Sequence, residues 1–223
     1  RAGAWDRAVA MNQVRRIAVI GASAGVGLAA VRRALDEGLE VSTLSRRIDT
    51  LPTDARLHKV HGSSLVLSNV QAAIKGCDAI LVTLGTGSST RATTLCAESA
   101  RVLLRALKAN RSTVPLIVLT GFGAGDSWNY NSLRMKLIFR LFLKSIYADK
   151  SRMEQLLTTE YPHWEIVRPG RLTDGPKTGR YRLMRGVYKG MRVGSISRED
   201  VAHFMVAESL KSSHLGQYVA LSD

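Results

Sequence analysis

The stretch Gly21-Ala22-Ser23-Ala24-Gly25-Val26-Gly27 decides the fold of this chain. It follows an apolar run at residues 17–20, which is typical of a buried strand. A helical pattern runs from the turn to residue 37, and a second apolar run begins at residue 39. Glycines permit the tight turn and the close packing of helix on strand that such a unit requires. The stretch therefore predicts the first strand–helix–strand unit of a parallel sheet.

The rest of the chain continues this alternation. Apolar strand patterns occur at residues 17–20, 39–44, 56–60, 79–84, 115–120, 165–167 and 217–222. Helical patterns occur at residues 25–37, 70–75, 92–109 and 131–159. Alternating elements indicate right-handed parallel crossovers, and nearly continuous apolar strands indicate a sheet covered on both faces. We predict the α/β class: a Rossmann-type, doubly wound, mostly parallel sheet with helices on both faces and a small C-terminal portion on the substrate side.

Length and composition favour one globular domain. The chain has 223 residues, a formal net charge of +14 and 45% hydrophobic residues. This balance excludes a disordered polyelectrolyte, and since no apolar run reaches about eighteen residues, we expect no spanning helix. The two cysteines, Cys77 and Cys96, do not form a disulfide framework and favour a cytoplasmic protein. We assign residues 1–10 to an upstream extension or an expression remnant, and residues 11–223 to the domain.

The glycine turn also predicts a ligand. Its context, between the first strand and the first helix, is the one that dinucleotide-binding folds require. The middle glycine, Gly25, would let the backbone approach a pyrophosphate, and the free N–H groups at the helix start would face its phosphates. A tight turn without a ligand is the alternative, but three glycines cost folding entropy that a ligand would justify.

The end of the second strand favours NADP(H) over NAD(H). NAD sites usually place an acidic residue here to bind the ribose 2′-hydroxyl, whereas this chain has Ser45-Arg46-Arg47 and no acid before Asp49. Two guanidinium groups can bind a 2′-phosphate in bidentate fashion, and Ser45 adds a hydroxyl donor. A solvated basic turn is the alternative interpretation.

These residues, together with Leu84-Gly85-Thr86 after the fourth strand, carry a family resemblance. The chain resembles the short-chain dehydrogenase/reductase superfamily, and within it the atypical branch that includes biliverdin-IXβ/flavin reductase and NmrA-like NAD(P)-binding proteins. The matching pieces continue through Val167-Arg168-Pro169-Gly170 and Ile196-Ser197-Arg198-Glu199-Asp200 to about residue 220. Such an ordered series supports the fold more strongly than the reaction, because these folds carry many functions.

The resemblance implies a set of cofactor-binding residues at the strand ends. The pyrophosphate would lie against Gly21, Ser23, Gly25, Val26 and Gly27, and the adenosine 2′-phosphate against Ser45, Arg46 and Arg47. The remaining positions are Gly62 and Ser63 near the adenine, Leu84, Gly85 and Thr86 beneath the cofactor, and Thr120, Lys150, Pro169 and Gly170 around the nicotinamide. Many relatives have Asp in place of Ser63. On the substrate side we expect Phe122 and Arg171.

The catalytic set of the main branch is not intact in this chain. That branch uses Tyr-x-x-x-Lys with a Ser; the Tyr donates a proton, and the Lys lowers the pKa of the Tyr and holds the nicotinamide ribose. Here Tyr147 and Lys150 are three residues apart, which still places them on roughly one helix face. Thr120 offers a hydroxyl where the Ser would stand. We name Thr120, Tyr147 and Lys150 as candidate catalytic residues, with a packing role for Tyr147 as the alternative.

The incomplete acid–base set favours particular chemistry. An isolated ketone requires a placed acid, whereas a flavin, quinone or tetrapyrrole-like acceptor can take its proton from solvent. We therefore predict an NADP(H)-dependent oxidoreductase that transfers hydride to a planar conjugated acceptor. The alternatives are a non-catalytic NADP(H)-binding sensor, and an NAD(P)-dependent sugar-nucleotide epimerase or dehydratase. The five histidines lack metal-ligand spacing, so no metal is expected. Glu154 is predicted to lie on a helix surface, with a structural ion pair as the alternative.

The positive charge is concentrated in two stretches. Residues 168–192 carry eight basic residues and one acid, Asp174; by resemblance they cover the substrate, which suits an anionic acceptor. The second stretch holds Arg134, Lys136, Arg140 and Lys144 among apolar residues. We expect it to pack on the core with its basic groups outward; contact with a membrane surface or a partner subunit is the alternative. No nucleic-acid-reading motif accompanies the charge, so we predict no specific nucleic-acid partner.

Overall fold

The computed structural model describes residues 15–85, 93–130, 144–188 and 191–223. The strands are β1 (Arg16–Ile20), β2 (Glu40–Ser45), β3 (Leu57–His61), β4 (Ala79–Val82), β5 (Leu116–Leu119), β6 (Trp164–Pro169), β7 (Arg171–Thr173), β8 (Arg182–Arg185), β9 (Ser195–Ser197) and β10 (Gln217–Ser222). The helices are α1 (Gly25–Asp36), α2 (Leu67–Ile74), α3 (Leu95–Ala109), α4 (Lys144–Glu160) and α5 (Arg198–Lys211), with a 3₁₀ helix at Gly125–Tyr130. The upstream extension, Thr86 and the basic stretch from Arg134 to Arg140 lie outside the described residues.

Eight strands form one sheet in the order β3-β2-β1-β4-β5-β6-β10-β8. Neighbouring strands are parallel except β10 and β8, which are antiparallel. Ile17 of β1 lies opposite Val41 of β2 on one side and Ala79 of β4 on the other. The predicted mostly parallel α/β sheet is therefore confirmed. Because the strand order changes direction between β1 and β4, the carboxyl ends of these two strands form the crevice where open α/β sheets bind ligands.

Two apolar cores cover the two faces of the sheet. Alternation along β1 sends Val19 to the face covered by α1 and α5, and Ala18 to the face covered by α2, α3 and α4. Small side chains such as Ala30 and Ala34 let α1 pack closely on the strands. Cys96 of α3 is 1% exposed and belongs to the core on the second face. No helix in the described ranges is long and apolar enough to cross a membrane.

The C-terminal portion contains elements that the hydrophobic pattern does not predict. β7 and β9 form a separate two-stranded parallel ladder, β8 extends one edge of the main sheet, and α5 precedes the last strand. The buried face of α5 includes Asp200, Glu208 and Ser209 beside its apolar residues, which weakens the helical pattern. β8 has a single buried residue, Met184. Where both ends lie on described residues, the predicted elements end within about three residues of the observed ones.

Candidate cofactor site and active site

The glycine turn between β1 and α1 packs directly against the end of β4. Gly21 has a φ of +96°, and a Cβ built on it would lie 3.0 Å from the backbone carbonyl of Thr83. A Cβ on Gly27 would lie 2.2 Å from the carbonyl oxygen of Gly21. The Thr83 hydroxyl donates to the carbonyl oxygens of Ile20 and Gly21, at 3.1 and 3.2 Å. Close backbone approach therefore requires both glycines, and Thr83 fixes the turn, a role that the sequence pattern missed.

The N-terminus of α1 has no cap of its own. The helix begins at Gly25, whose φ of +55° favours glycine, and the preceding Ala24 has no side-chain oxygen to accept from the first turn. That turn contains no acidic residue. Val26 is buried, while Ser23 is half-buried and its carbonyl accepts a hydrogen bond from Thr50 Oγ1 at 2.9 Å. The helix does not satisfy its own first N–H groups or offset its dipole, so these residues fit the pyrophosphate of a dinucleotide.

The end of β2 presents two exposed guanidinium groups beside this turn. The Gly21 N–H donates to the Leu44 carbonyl at 3.0 Å, which ties the turn to β2. Ser45 is buried, and its Oγ accepts a hydrogen bond from the Arg47 backbone N–H at 3.3 Å. Arg46 and Arg47 are exposed, and the structure gives neither side chain a hydrogen-bond or ion-pair partner among the described residues. Two unpaired cations at this position fit a phosphate on the ribose.

Gly62 and Ser63 follow β3 on the other side of β2. The Gly62 N–H donates to the Ser45 carbonyl at 3.0 Å, and a Cβ on Gly62 would lie 2.2 Å from Asn69 Nδ2. The Ser63 Oγ accepts a hydrogen bond from the Leu65 N–H at 3.2 Å. Both residues therefore lie at the carboxyl edge of the sheet, next to the two arginines, where the family resemblance puts the adenine.

The ends of β4 and β6 also lie at this edge of the sheet. Leu84 is half-buried after β4, and the neighbouring Gly85 is exposed with open space around its Cα. Pro169 ends β6, and Gly170 follows it so closely against the Gly194 carbonyl that a Cβ would lie 2.2 Å from that oxygen. The structure thus brings the described cofactor candidates from five strands to one edge.

Thr120 and Lys150 meet where β5 ends. Thr120 is 3% exposed, and its Oγ1 donates to Glu154 Oε1 at 2.6 Å. The Nζ of Lys150, on α4, donates to the Thr120 carbonyl oxygen at 2.5 Å. Burial lowers the pKa of Lys150, and the neighbouring Cys96 and Glu154 act in the opposite direction. Because a hydroxyl has one proton, the Thr120 side chain in this arrangement has no proton left for a substrate.

Tyr147 lies against the first residue after Thr120. A Cβ built on Gly121 would lie 3.0 Å from the Tyr147 hydroxyl oxygen, and the Lys150 Nζ lies 5.6 Å from the centre of the Tyr147 ring. The two α4 side chains therefore share one face, as a spacing of three residues predicts. Burial raises the pKa of Tyr147 to about 12. A phenol with a raised pKa is a poor general acid at neutral pH.

Glu154 forms a buried ion pair with Arg168, so its prediction as a surface residue is wrong and the alternative, a structural ion pair, is confirmed. It is 2% exposed, and its two carboxylate oxygens accept from Arg168 Nε at 3.1 Å and Nη2 at 2.7 Å. Arg168 Nη1 donates to Asp126 Oδ1 at 2.6 Å, and the guanidinium lies 4.0 Å from the centre of the Tyr218 ring. The position of Arg168 within residues 168–192 suggested that it helps to cover the substrate, but the structure contradicts this. The alternation of β6 directs its side chain inward, and the carboxylates of Glu154 and Asp126 hold it there.

The substrate-side candidates differ in exposure. Phe122 is 8% exposed and packs with Met184 and Met191, and its N–H donates to the Pro169 carbonyl at 2.9 Å. Arg171 begins β7 with an exposed side chain. Among the described residues, the other exposed basic side chains in this part of the chain are Lys177, Arg180, Arg182, Arg185 and Arg192. Phe122 thus belongs to an apolar wall, whereas the arginines give this side of the molecule its charge.

A buried cluster of titratable groups lies near the amino end of β6. Glu165, Glu208 and His214 offer ligand atoms within 4.8 Å of one another, enough to hold a metal ion. The Glu208 Oε2 accepts from the Ser213 N–H at 2.8 Å and lies 3.1 Å from His214 Nδ1, while Arg185 Nη2 lies 3.3 Å from His214 Nε2. Because arginine only donates, Nε2 accepts and the ring proton belongs on Nδ1, facing Glu208. Sequence spacing could not reveal this cluster, because its members come from β6, from α5 and from the loop after α5.

Known proteins share this architecture. The anaerobillin reductase ChuY of Escherichia coli O157:H7 is 25% identical, with a TM-score of 0.74 over 93% of this chain and 96% of that one. A short-chain dehydrogenase/reductase of Veillonella parvula DSM 2008, solved in complex with NADP, is 14% identical and shares the fold, with a TM-score of 0.79 over 94% of this chain and 95% of that one. A Bacillus subtilis (strain 168) protein named uncharacterized sugar epimerase YhfK is 28% identical over 155 residues, which are 66% of each chain.

A family model described as NAD(P)H-binding matches residues 21–211. The match begins at the first glycine of the turn and runs to the end of α5, so it contains the uncapped N-terminus of α1 and the ends of β2, β4, β5 and β6. These are the positions where the structure gathers the glycines, the exposed arginines and the Thr120–Lys150 contact. Sequence and geometry therefore agree that the chain belongs to the NAD(P)H-binding family.

Proposed function

We propose that this protein is an NADP(H)-dependent reductase whose acceptor is planar and conjugated, such as a flavin, a quinone or a tetrapyrrole. The proposal rests on two catalytic candidates, Thr120 after β5 and Tyr147 on α4, neither of which is a good proton donor. The Thr120 hydroxyl donates to Glu154 at 2.6 Å, and burial raises the pKa of Tyr147 to about 12. Neither group is suited to act as the general acid that an isolated carbonyl needs when it accepts a hydride at neutral pH. Acceptors that take their proton from solvent suit such a site.

The residues at the carboxyl edge of the sheet support dinucleotide binding. When bound, NADP(H) supplies the hydride. The uncapped first turn of α1 would hold the pyrophosphate, and Lys150 would hold the nicotinamide ribose. Lys150 also fixes the end of β5 through its 2.5 Å hydrogen bond to the Thr120 carbonyl. Together, the first turn of α1 and Lys150 would orient the cofactor at the carboxyl edge of the sheet.

The preference for NADP(H) rests on Arg46 and Arg47. Both guanidinium groups are exposed at the end of β2, where an acidic residue would otherwise bind an unphosphorylated ribose. An NAD-type acid would also repel the 2′-phosphate, and the first acid after β2 is Asp49. These observations support NADP(H) over NAD(H).

The charge of the substrate side supports an anionic acceptor, such as a flavin phosphate or a pigment with propionates. Exposed Arg171, Arg180, Arg185 and Arg192 would raise the local concentration of anions near this face. The similarity to an anaerobillin reductase is consistent with this class of acceptor.

The test is NADPH oxidation by the purified protein with a panel of flavins, quinones and biliverdins. We expect turnover with at least one of them, and a loss of rate in Lys150→Met. Arg152→Met removes the same charge from an exposed position on the same helix and should keep the wild-type rate. NADPH binding without turnover on any acceptor would contradict the reductase proposal and favour a non-catalytic NADP(H)-binding sensor.

A sugar-nucleotide epimerase or dehydratase is the second candidate, because a curated relative bears a sugar epimerase name. That chemistry removes a proton and a hydride from a carbinol and so needs a placed acid–base group. The raised pKa of Tyr147 weighs against it. Interconversion of sugar nucleotides without net NADPH oxidation would favour this candidate over the reductase.

A further inference from the structure

Arg198 lies beside the uncapped start of α1, although it belongs to a different helix. It is the first residue of α5, which packs alongside α1 on the same face of the sheet. A Cβ built on Gly25 would lie 3.7 Å from both Cδ and Nε of Arg198. The guanidinium is thus within a short side-chain movement of the N–H groups where the pyrophosphate of a dinucleotide would lie.

Arg198 forms an ion pair with Asp174, and this ion pair is weak. Its Nη1 lies 2.5 Å from Asp174 Oδ1, but the Asp174 side chain is 92% exposed and that of Arg198 is 33% exposed. Ion pairs this exposed contribute little, because solvent screens them and ordering two side chains costs entropy. A phosphate held against the end of α1 would compete effectively for the same guanidinium.

Asp174 begins a segment that α5 holds at a second, firmer point. Asp200 is fully buried, and its carboxylate accepts from the Thr178 N–H at 2.9 Å, the Thr178 hydroxyl at 2.9 Å and the Gly179 N–H at 2.8 Å. Burial alone would raise the pKa of Asp200, but these hydrogen bonds outweigh it and lower the pKa. α5 therefore contacts residues 174–179 through the Arg198–Asp174 ion pair and through the hydrogen bonds of Asp200. Only the exposed ion pair can break at a low cost in free energy.

We infer that Arg198 is a phosphate-binding residue that releases Asp174 when the dinucleotide binds. This inference rests on the function proposed above, since it needs a pyrophosphate at the start of α1. The guanidinium turns from the carboxylate to the phosphate, while Asp200 keeps its hold on Thr178 and Gly179. Occupancy of the cofactor site is thereby linked to the substrate-side segment that follows β7.

The test is the dissociation constant of NADPH, measured by its fluorescence on the wild type and on four variants. Arg198→Gln should weaken binding about tenfold, because it removes a charged hydrogen bond to phosphate. Asp174→Asn should tighten binding about two- to fivefold, because it removes the competing carboxylate. In the Arg198→Gln background, Asp174→Asn should have no effect. Lys211→Gln removes an exposed charge from the far end of α5 and should match the wild type.

A second ligand separates this inference from the proposed function. Adenosine 2′-monophosphate has no pyrophosphate, so its competition with NADPH should yield the same affinity in the wild type and in Arg198→Gln. Equal NADPH affinity in the wild type and Arg198→Gln would overturn the inference and leave the proposed function intact. Unchanged or weaker NADPH binding in Asp174→Asn would overturn the idea that Arg198 leaves Asp174 when the dinucleotide binds. A wild type that does not bind NADPH would overturn both the inference and the function.

Discussion

Glu165 shows how one side chain can make stability depend on pH. Its carboxylate is fully buried, and neither oxygen has a hydrogen-bond donor among the described residues. Burial raises its pKa to about 9, and the nearby Glu208 adds to the effect. The folded pKa lies above the unfolded value, so the folded state binds the proton more tightly. This stabilisation is complete below the unfolded pKa and is lost as pH rises towards 9.

We therefore expect Glu165→Gln to remove a pH dependence of unfolding. Near pH 8 the variant should be more stable than the wild type by roughly 2–4 kcal/mol, because it stays neutral while the wild type must hold a proton. Urea unfolding between pH 5 and pH 9 measures this, with the exposed Glu160→Gln on α4 as the control. Parallel profiles for the wild type and Glu165→Gln, or a rise in wild-type stability with added Zn²⁺, would contradict a buried proton.

The two arginines after β2 are predicted to select the cofactor. Replacing Arg46 and Arg47 by Ala should lower the preference for NADPH over NADH at least tenfold, because each guanidinium loses a charged contact with the 2′-phosphate. The ratio of the two dissociation constants measures this. Arg105→Ala with Lys108→Ala removes the same charge from exposed positions on α3 and should leave the ratio unchanged. An unchanged ratio in the Arg46/Arg47 variant would assign these residues to a solvated turn.

Single residues could be predicted from the sequence where spacing along the chain defines their role. The glycine turn is such a case, since all its glycines lie within one strand–turn–helix unit. Thr83 and Glu154 are not, because their partners come from distant parts of the chain: Thr83 bonds to the turn after β1, and Glu154 to Arg168 on β6. A polar residue in an apolar strand or on a helix gives no sign of such a partner before the strands are placed side by side.

At the scale of elements, the packing of α1 on β1 and β4 leaves no room for a side chain. Gly27→Ala would put a Cβ 2.2 Å from the Gly21 carbonyl oxygen and 2.6 Å from Thr83 Oγ1. We expect it to destabilise the fold by about 1–3 kcal/mol and to weaken NADPH binding, because α1 must shift from the turn. Thermal unfolding and NADPH titration measure the two effects. Gly175→Ala, whose Cβ would meet nothing nearer than 3.7 Å, is the control; equal losses in both variants would count against this packing argument.

α5 and β8 could not be predicted from the hydrophobic pattern, and the physical reason is the same for both. α5 buries Asp200 and Glu208, which the hydrophobic pattern would place in water, and β8 is an edge strand with one buried residue. Each depends on contacts made after folding: Asp200 accepts from Thr178 and Gly179, and β8 pairs with β10. The central strands could be predicted because burial on both faces makes them apolar throughout.

For the whole molecule, the net charge of +14 is divided between buried and exposed positions. Arg168 is buried and paired with the buried Glu154 and the exposed Asp126, so it adds no positive charge to the surface. Arg180 and Arg185 are exposed on the substrate side. The positive field over that side therefore comes from groups that dissolved ions can screen, within about 10 Å at 0.1 M salt.

This screening separates recognition by charge from recognition by shape. Flavin mononucleotide and riboflavin have the same ring system and differ in one phosphate, so only the first should respond to the field. We expect the KM for flavin mononucleotide to rise several-fold between about 20 and 200 mM salt while that for riboflavin stays constant. Arg180→Ala with Arg185→Ala should flatten the first dependence and leave the second alone. Because salt also affects NADPH binding, NADPH must be saturating at each ionic strength. If KM then depends on salt equally for both flavins, the charge of the substrate side does not help to select the acceptor.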